Sequence, residues 1–130
     1  MDFDTIFILS NSQFYMFNNI IESTPGFGKA KLEITVFKEE DQFIAYASAL
    51  DVAAHGNSEN EAIKNLAEVV SITLQWAKEN NTFHELLLSN GWTLKEQPKP
   101  SYLPPAFNLQ SVKSKFNITS IQRRSTLEFA

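Results

Sequence analysis

Two histidines, a few carboxylates on regular elements and a late group of cations are the residues through which this chain could do chemistry. His55 sits beside Gly56, and His84 lies in a later segment. Neither has the acidic or histidine companion at i, i+4 that a zinc site uses, so no metal site is expected. Ser48, Asp51 and His55 can be written as nucleophile, acid and base. No G-x-S-x-G elbow surrounds the serine, however, and polar residues near strand ends explain all three. Glu33, Asp51, Glu61 and Glu68 are the residue type that grips two divalent ions in a metal-dependent nuclease. Glu61 is explained by a helix cap and Glu68 by an exposed helix face, leaving Glu33 and Asp51 to meet only through strand register. Lys113, Lys115, Arg123 and Arg124, with Phe116, could contact phosphates and stack on a base. Six cations spread over residues 95–130 are too scattered to be diagnostic, and a solvated β-arm accounts for them.

The elements that would position these groups follow from hydrophobic period. Residues 31–38 (KLEITVFK) alternate, with Leu32, Ile34 and Val36 on one face and Glu33 and Thr35 between them. Such alternation predicts a strand with one face packed and one face wet. Glu39, Glu40, Asp41 and Gln42 join it at hairpin length to a second strand over 43–50, so the pair is antiparallel. In that second strand Phe43, Ala45, Ala47 and Ala49 make a small face over which a helix can lie close or another sheet can pack. Residues 52–55 form a third strand that runs into Gly56.

A helix starts at Ser58, where Ser58 and Glu61 match a capping box. Ala62, Leu66, Val69, Val70, Thr73, Leu74 and Ala77 form its apolar stripe, widened by Ile63 and Trp76. Lys64, Asn65, Glu68, Ser71, Gln75, Lys78 and Glu79 form the polar face. Thr82 and Glu85 match a second box opening a short helix to Leu88, and Trp92-Thr93-Leu94 enters a last core strand. Upstream, residues 1–10 suit a short strand, and 13–22 suit a helix carrying Phe14, Phe17 and Ile21, stopped at Pro25-Gly26. Four of the five prolines fall in 97–105, an extended connector; beyond it 107–130 reads as β-like.

Composition bounds the function classes. At 130 residues the chain is one domain with arms, and eleven phenylalanines supply a real core. No cysteine means no disulfide, thiolate metal site or cysteine nucleophile, in keeping with a reducing compartment. MDFDTIFILS carries two aspartates and no basic start, which argues against a signal peptide. With no apolar run near the roughly 20 residues of a membrane span, a cytoplasmic setting is expected. Residues 1–94 hold 5 Lys+Arg against 13 Asp+Glu, whereas 95–130 hold 6 against 2. An acidic body attracts a basic partner.

At 31–94 the chain resembles the HicB-like antitoxins of prokaryotic toxin–antitoxin pairs. The matching residues are KLEITVFKEEDQFIAYASAL and ALDVAAHGNSENEAIKNLAEVV, with Gly56, Ser58 and Glu61-Ala62 leading into the helix and Gly91-Trp92 opening the last strand. The resemblance covers about half the chain, and its motifs are turns and caps rather than catalytic groups. It implies an α+β fold, β-β-β-α-α-β, with an antiparallel three- to four-stranded sheet on one long helix, a truncated ribonuclease H-like domain without its active site. It further implies a non-enzymatic, cofactor-free protein that neutralises a small basic HicA-type RNase toxin. Glu39, Glu40, Asp41 and Asp51, as acidic edge groups, are the expected partner contacts, with assembly as a dimer or higher oligomer. Many members add a C-terminal DNA-binding domain; here a proline-rich connector and a β-like arm stand in its place, which argues against DNA binding.

The resulting division is an N-terminal arm over 1–30, a core over 31–96, a connector over 97–106 and an arm over 107–130. Two rival readings stand beside it. One is a homo-oligomeric module without a toxin, exchanging its hydrophobic arms between subunits. The other is a metal-dependent nuclease acting through Glu33 and Asp51.

Overall fold

The computed structural model describes residues 3–7, 31–95 and 101–128. The expected helix over 13–22 lies outside the described residues. In chain order the elements are β1 (Phe3–Phe7), β2 (Lys31–Glu39), β3 (Gln42–Ala47), β4 (Val52–Gly56), α1 (Glu59–Glu79), α2 (Phe83–Ser89), β5 (Thr93–Lys95), β6 (Ser101–Leu103), α3 (Leu109–Phe116) and β7 (Arg123–Glu128). The fold is α+β. Strands β7, β2, β3 and β4 form an antiparallel sheet, and β1 adds to β7 in parallel at one edge.

The expected alternation in β2 is present. Leu32, Ile34 and Val36 are fully buried, and they share a core with Ala45, Ala47, Leu127 and the inner face of α1. Small residues on both sides let α1 approach the sheet closely: Ala45 and Ala47 from β3 meet Ala62 and Ala67 from the helix. Gly56 sets the closest approach, since a Cβ there would lie 2.6 Å from the Ala62 backbone nitrogen. The cap forms as the spacing implied, with Ser58 Oγ accepting from the Glu61 amide at 3.1 Å. Glu61 answers one residue upstream, accepting from the Asn57 amide at 3.2 Å.

Six expectations are corrected by the structure. The face of β2 opposite the core is not wet: Phe37, Tyr46 and Val112 are buried there, with Phe116, Phe107 and Ile118 packed around them. Their cover is α3, in the segment expected to be a β-like arm. An eight-residue helix is marginal on its own, and this one is held by the Asn108 cap and by packing of Phe116 on Phe37 and Tyr46, at centroid separations of 4.9 and 4.7 Å. The rest of that segment is β7, which sits inside the sheet between β1 and β2. β5, expected as the last core strand, does not join the main sheet; it pairs instead with β6, formed within the proline-rich connector. At α2 the second capping box is not made: Thr82 Oγ1 donates to the Ala77 carbonyl and finishes α1 instead. On α1, Ser71 is buried and satisfied by donating to the Ala67 carbonyl, whereas Trp76 is exposed.

A buried hydroxyl is left over on this face. Thr35 is fully buried under the α3 layer, and among the described residues its hydroxyl has no hydrogen-bond partner. A buried unpaired hydroxyl costs stability that an isosteric methyl does not. Thr35→Val is therefore expected to raise the unfolding free energy by about 1 kcal/mol, read as a higher urea midpoint with an unchanged slope. A lower midpoint would mean that the hydroxyl is satisfied in solution.

Candidate functional site

The four acidic residues expected to meet a partner are divided between the two ends of β3. Glu39 pairs with Gln42 across the β2–β3 hairpin, so Glu40 and Asp41 form its tip; all three acids are exposed, and Glu40 takes a left-handed φ of 56°. Asp51 lies in the β3–β4 turn, also left-handed at φ 53°, beyond the Ala47–Val52 pair. Six strand residues separate the two turns, roughly 20 Å of extended chain.

What the structure brings to the hairpin end instead is the start of α1. Phe43 is opposite Gly56 in the β3–β4 register, and α1 follows at Glu59. Glu59 and Glu61 therefore lie at the same end of the sheet as Glu39, Glu40 and Asp41. The nearby Arg123 is turned inward, donating to Asn60 Oδ1 at 2.9 Å and lying 3.7 Å from Glu59. Lys38 lies over the Phe43 ring. This end of the molecule thus carries an excess of exposed carboxylates.

Asp51 serves a different purpose. It accepts from the Tyr46 hydroxyl at 2.7 Å and pairs with Lys115 of α3 at 3.3 Å, fastening that helix to the sheet. The Tyr46 hydrogen bond holds the Asp51 carboxyl below its ordinary range, against a smaller opposing effect of burial and with help from Lys115. Burial first, then Asp51, pushes the Tyr46 phenol well above its ordinary range. Beside this trio is a cavity of about 270 Å³ whose polar wall is Tyr46, Ser48, Asn90, Asn108, Ser111 and Lys115.

The signs of the two shifts fix a pH prediction. A depressed Asp51 contributes stability above its unfolded pKa, and that contribution is lost as pH falls through its lower folded value. A raised Tyr46 contributes below its unfolded pKa, and that contribution is lost as pH climbs toward the folded value. Tyr46→Phe is expected to flatten both the acid and the alkaline limbs of a stability–pH curve measured by urea unfolding. A curve with unchanged limbs would refute the coupling.

The remaining candidates are dispersed. His55 is opposite Ile44, three residues along β4 from the turn holding Ser48 and Asp51, and its carbonyl accepts from Asn65 Nδ2. No Ser–His–Asp geometry is formed. His84 shares a 2.7 Å hydrogen bond with the Tyr102 hydroxyl. Glu33 accepts from Arg124 at 3.1 Å, and that guanidinium lies 4.6 Å from the Phe107 ring centre. Glu33 and Asp51 are thus each held by their own cation. Glu68 stands on the exposed face of α1. Among the described residues no group of three His, Asp or Glu side chains converges as a metal site.

Of the late cations, Lys115, Arg123 and Arg124 contact carboxylates of the body, and Phe116 is packed between Phe37 and Tyr46 rather than free to stack on a base. Nothing in the local sequence around Asp51 signals Lys115, which arrives only when α3 folds across the sheet. That the hairpin and the start of α1 share one end of the sheet was implicit in the hairpin and in the short β4. No family model, curated protein or solved structure matches the chain.

Proposed function

We propose that this chain is a non-catalytic, HicB-like antitoxin module that works in the cytoplasm and sequesters a small basic RNase toxin. The observation that carries this reading is the acidic end of the molecule, where Glu39, Glu40 and Asp41 of the hairpin stand with Glu59 and Glu61 of α1. Opposite charge across an interface speeds encounter and disfavours wrong partners. The antiparallel β-β-β-α order and the tight Gly56–Ala62 junction support the family resemblance. Asp51, engaged by Tyr46 and Lys115, has an internal role and is a weaker contact candidate than the other three acids.

The decisive experiment is co-expression with a small basic protein encoded beside this gene. Growth inhibition by that protein is expected to be relieved, with a stable complex recovered. Persistent inhibition with no complex would end the antitoxin reading. The homo-oligomeric alternative draws support from β4, an edge strand of the main sheet, onto which a second copy could add. A concentration-dependent sedimentation coefficient without any neighbouring partner would favour it.

A further inference from the structure

The outer face of α1 carries two large apolar side chains that join neither core among the described residues. Ile72 is 64% exposed and Trp76 is 61% exposed, one helical turn apart. Lone exposed apolar residues need no explanation, but an i, i+4 pair containing a tryptophan forms a continuous patch. Tryptophan is also among the residues that most often dominate binding energy.

The residues around the pair follow a contact line. Along the exposed side, Glu68, Ile72, Gln75 and Glu79 recur at spacings of four, three and four, the period with which one helix meets another. Trp76 widens the line, and Gln75 donates to Glu79 at 3.0 Å. Both ends of the line are carboxylates and no lysine or arginine lies between them, although Lys64 stands one turn before Glu68. Over the whole helix Glu59, Glu61, Glu68 and Glu79 outnumber Lys64 and Lys78.

These features select an occupant. We infer that this face of α1 is a docking seat for a basic amphipathic helix of a partner protein, with apolar residues over Ile72 and Trp76 and cations beside Glu68 and Glu79. A second copy of this chain fits poorly. Two α1 helices crossing antiparallel at the Ile72–Trp76 patch would set Glu68 of each near Glu79 of the other, like charge against like. Two exposed side chains also fall far short of the roughly 800 Å² per partner that a standard stable dimer interface buries. The inference rests on reading this chain as a binder of basic proteins, and it moves the apolar part of the contact away from the hairpin.

The probe is a designed Leu/Lys amphipathic peptide of about 14 residues, roughly four helical turns, titrated into the full chain. Trp76 reports directly, because the only other tryptophan, Trp92, is buried. Binding is expected to shift the emission to the blue and protect it from iodide quenching. Ile72→Ser, which keeps the reporter, is expected to weaken binding by about ten-fold, as loss of a central anchor does. Glu68→Gln with Glu79→Gln is expected to weaken it and to flatten its salt dependence.

Equal affinity of the Ile72→Ser chain, or equal binding of a Leu/Glu peptide, would overturn the proposal. So would self-association in sedimentation that Ile72→Ser abolishes, since the seat would then belong to a second copy. A natural basic partner captured as tightly by the Ile72→Ser chain as by the native one would keep the antitoxin reading and sink the seat alone.

Discussion

Replacing Trp92 with alanine is expected to remove about 3–5 kcal/mol of stability, a large share of what a domain of this size possesses. The indole is 2% exposed and is among the largest fully enclosed side chains of the principal core. It also makes a long-range tie, donating from Nε1 to the Ala49 carbonyl at 2.7 Å. Through that bond the segment after α2 is fixed to the β3–β4 turn. Truncation would leave a cavity and an unpaired buried carbonyl together, two costs that add. Trp92→Phe separates them: it refills most of the space but leaves the carbonyl unpaired, with an expected loss of about 1–3 kcal/mol. Urea unfolding followed by circular dichroism reads both values. A Trp92→Phe loss equal to that of Trp92→Ala would place all the energy in the hydrogen bond.

Gly56→Ala is the second large effect, expected at about 3 kcal/mol, the upper end of the usual overpacking range. The added methyl would meet the Ala62 nitrogen at 2.6 Å and the Glu61 carbonyl carbon at 2.9 Å, both backbone atoms of the first turn of α1. A flexible side chain could move aside, but a helix backbone cannot without tilting the whole rod. Because the cap and the close packing over Ala45 and Ala47 depend on the same approach, tilting would loosen them as well. Ser58→Ala, which removes only the capping hydroxyl, gives the comparison, with an expected loss of about 1 kcal/mol. If Gly56→Ala cost no more than Ser58→Ala in chemical unfolding, the tight junction would not be what seats α1.

Both effects lie in the part of the molecule that the sequence makes most legible. In β2 an apolar residue at every second position can be satisfied only by a strand with one buried face, whatever surrounds it. In α1 the local chemistry is equally self-contained: Ser58 reaches the Glu61 amide within one turn, and the 3.6-residue stripe carries the inner face from Ala62 to Ala77. The hairpin with Glu39, Glu40 and Asp41 is fixed by its length. These elements could be read because the interactions that specify them span a few residues.

What the sequence left undecided is whatever depends on distant segments meeting. The strand beside β2 is β7, not the β5 that follows α2, because Leu127 and Leu32 meet in one buried layer from opposite ends of the described core. The outer face of the sheet around Phe37 and Tyr46 is covered only because α3 crosses it, and α3 is a helix chiefly because Phe37 and Tyr46 receive Phe116. The same crossing delivers Lys115 to Asp51, giving an acid that stays at the surface a cation from a distant segment. Alternation, caps and turns are written in neighbouring residues; strand order, helix seating and ion pairing are settled by which apolar faces bury each other, and that choice belongs to the whole chain.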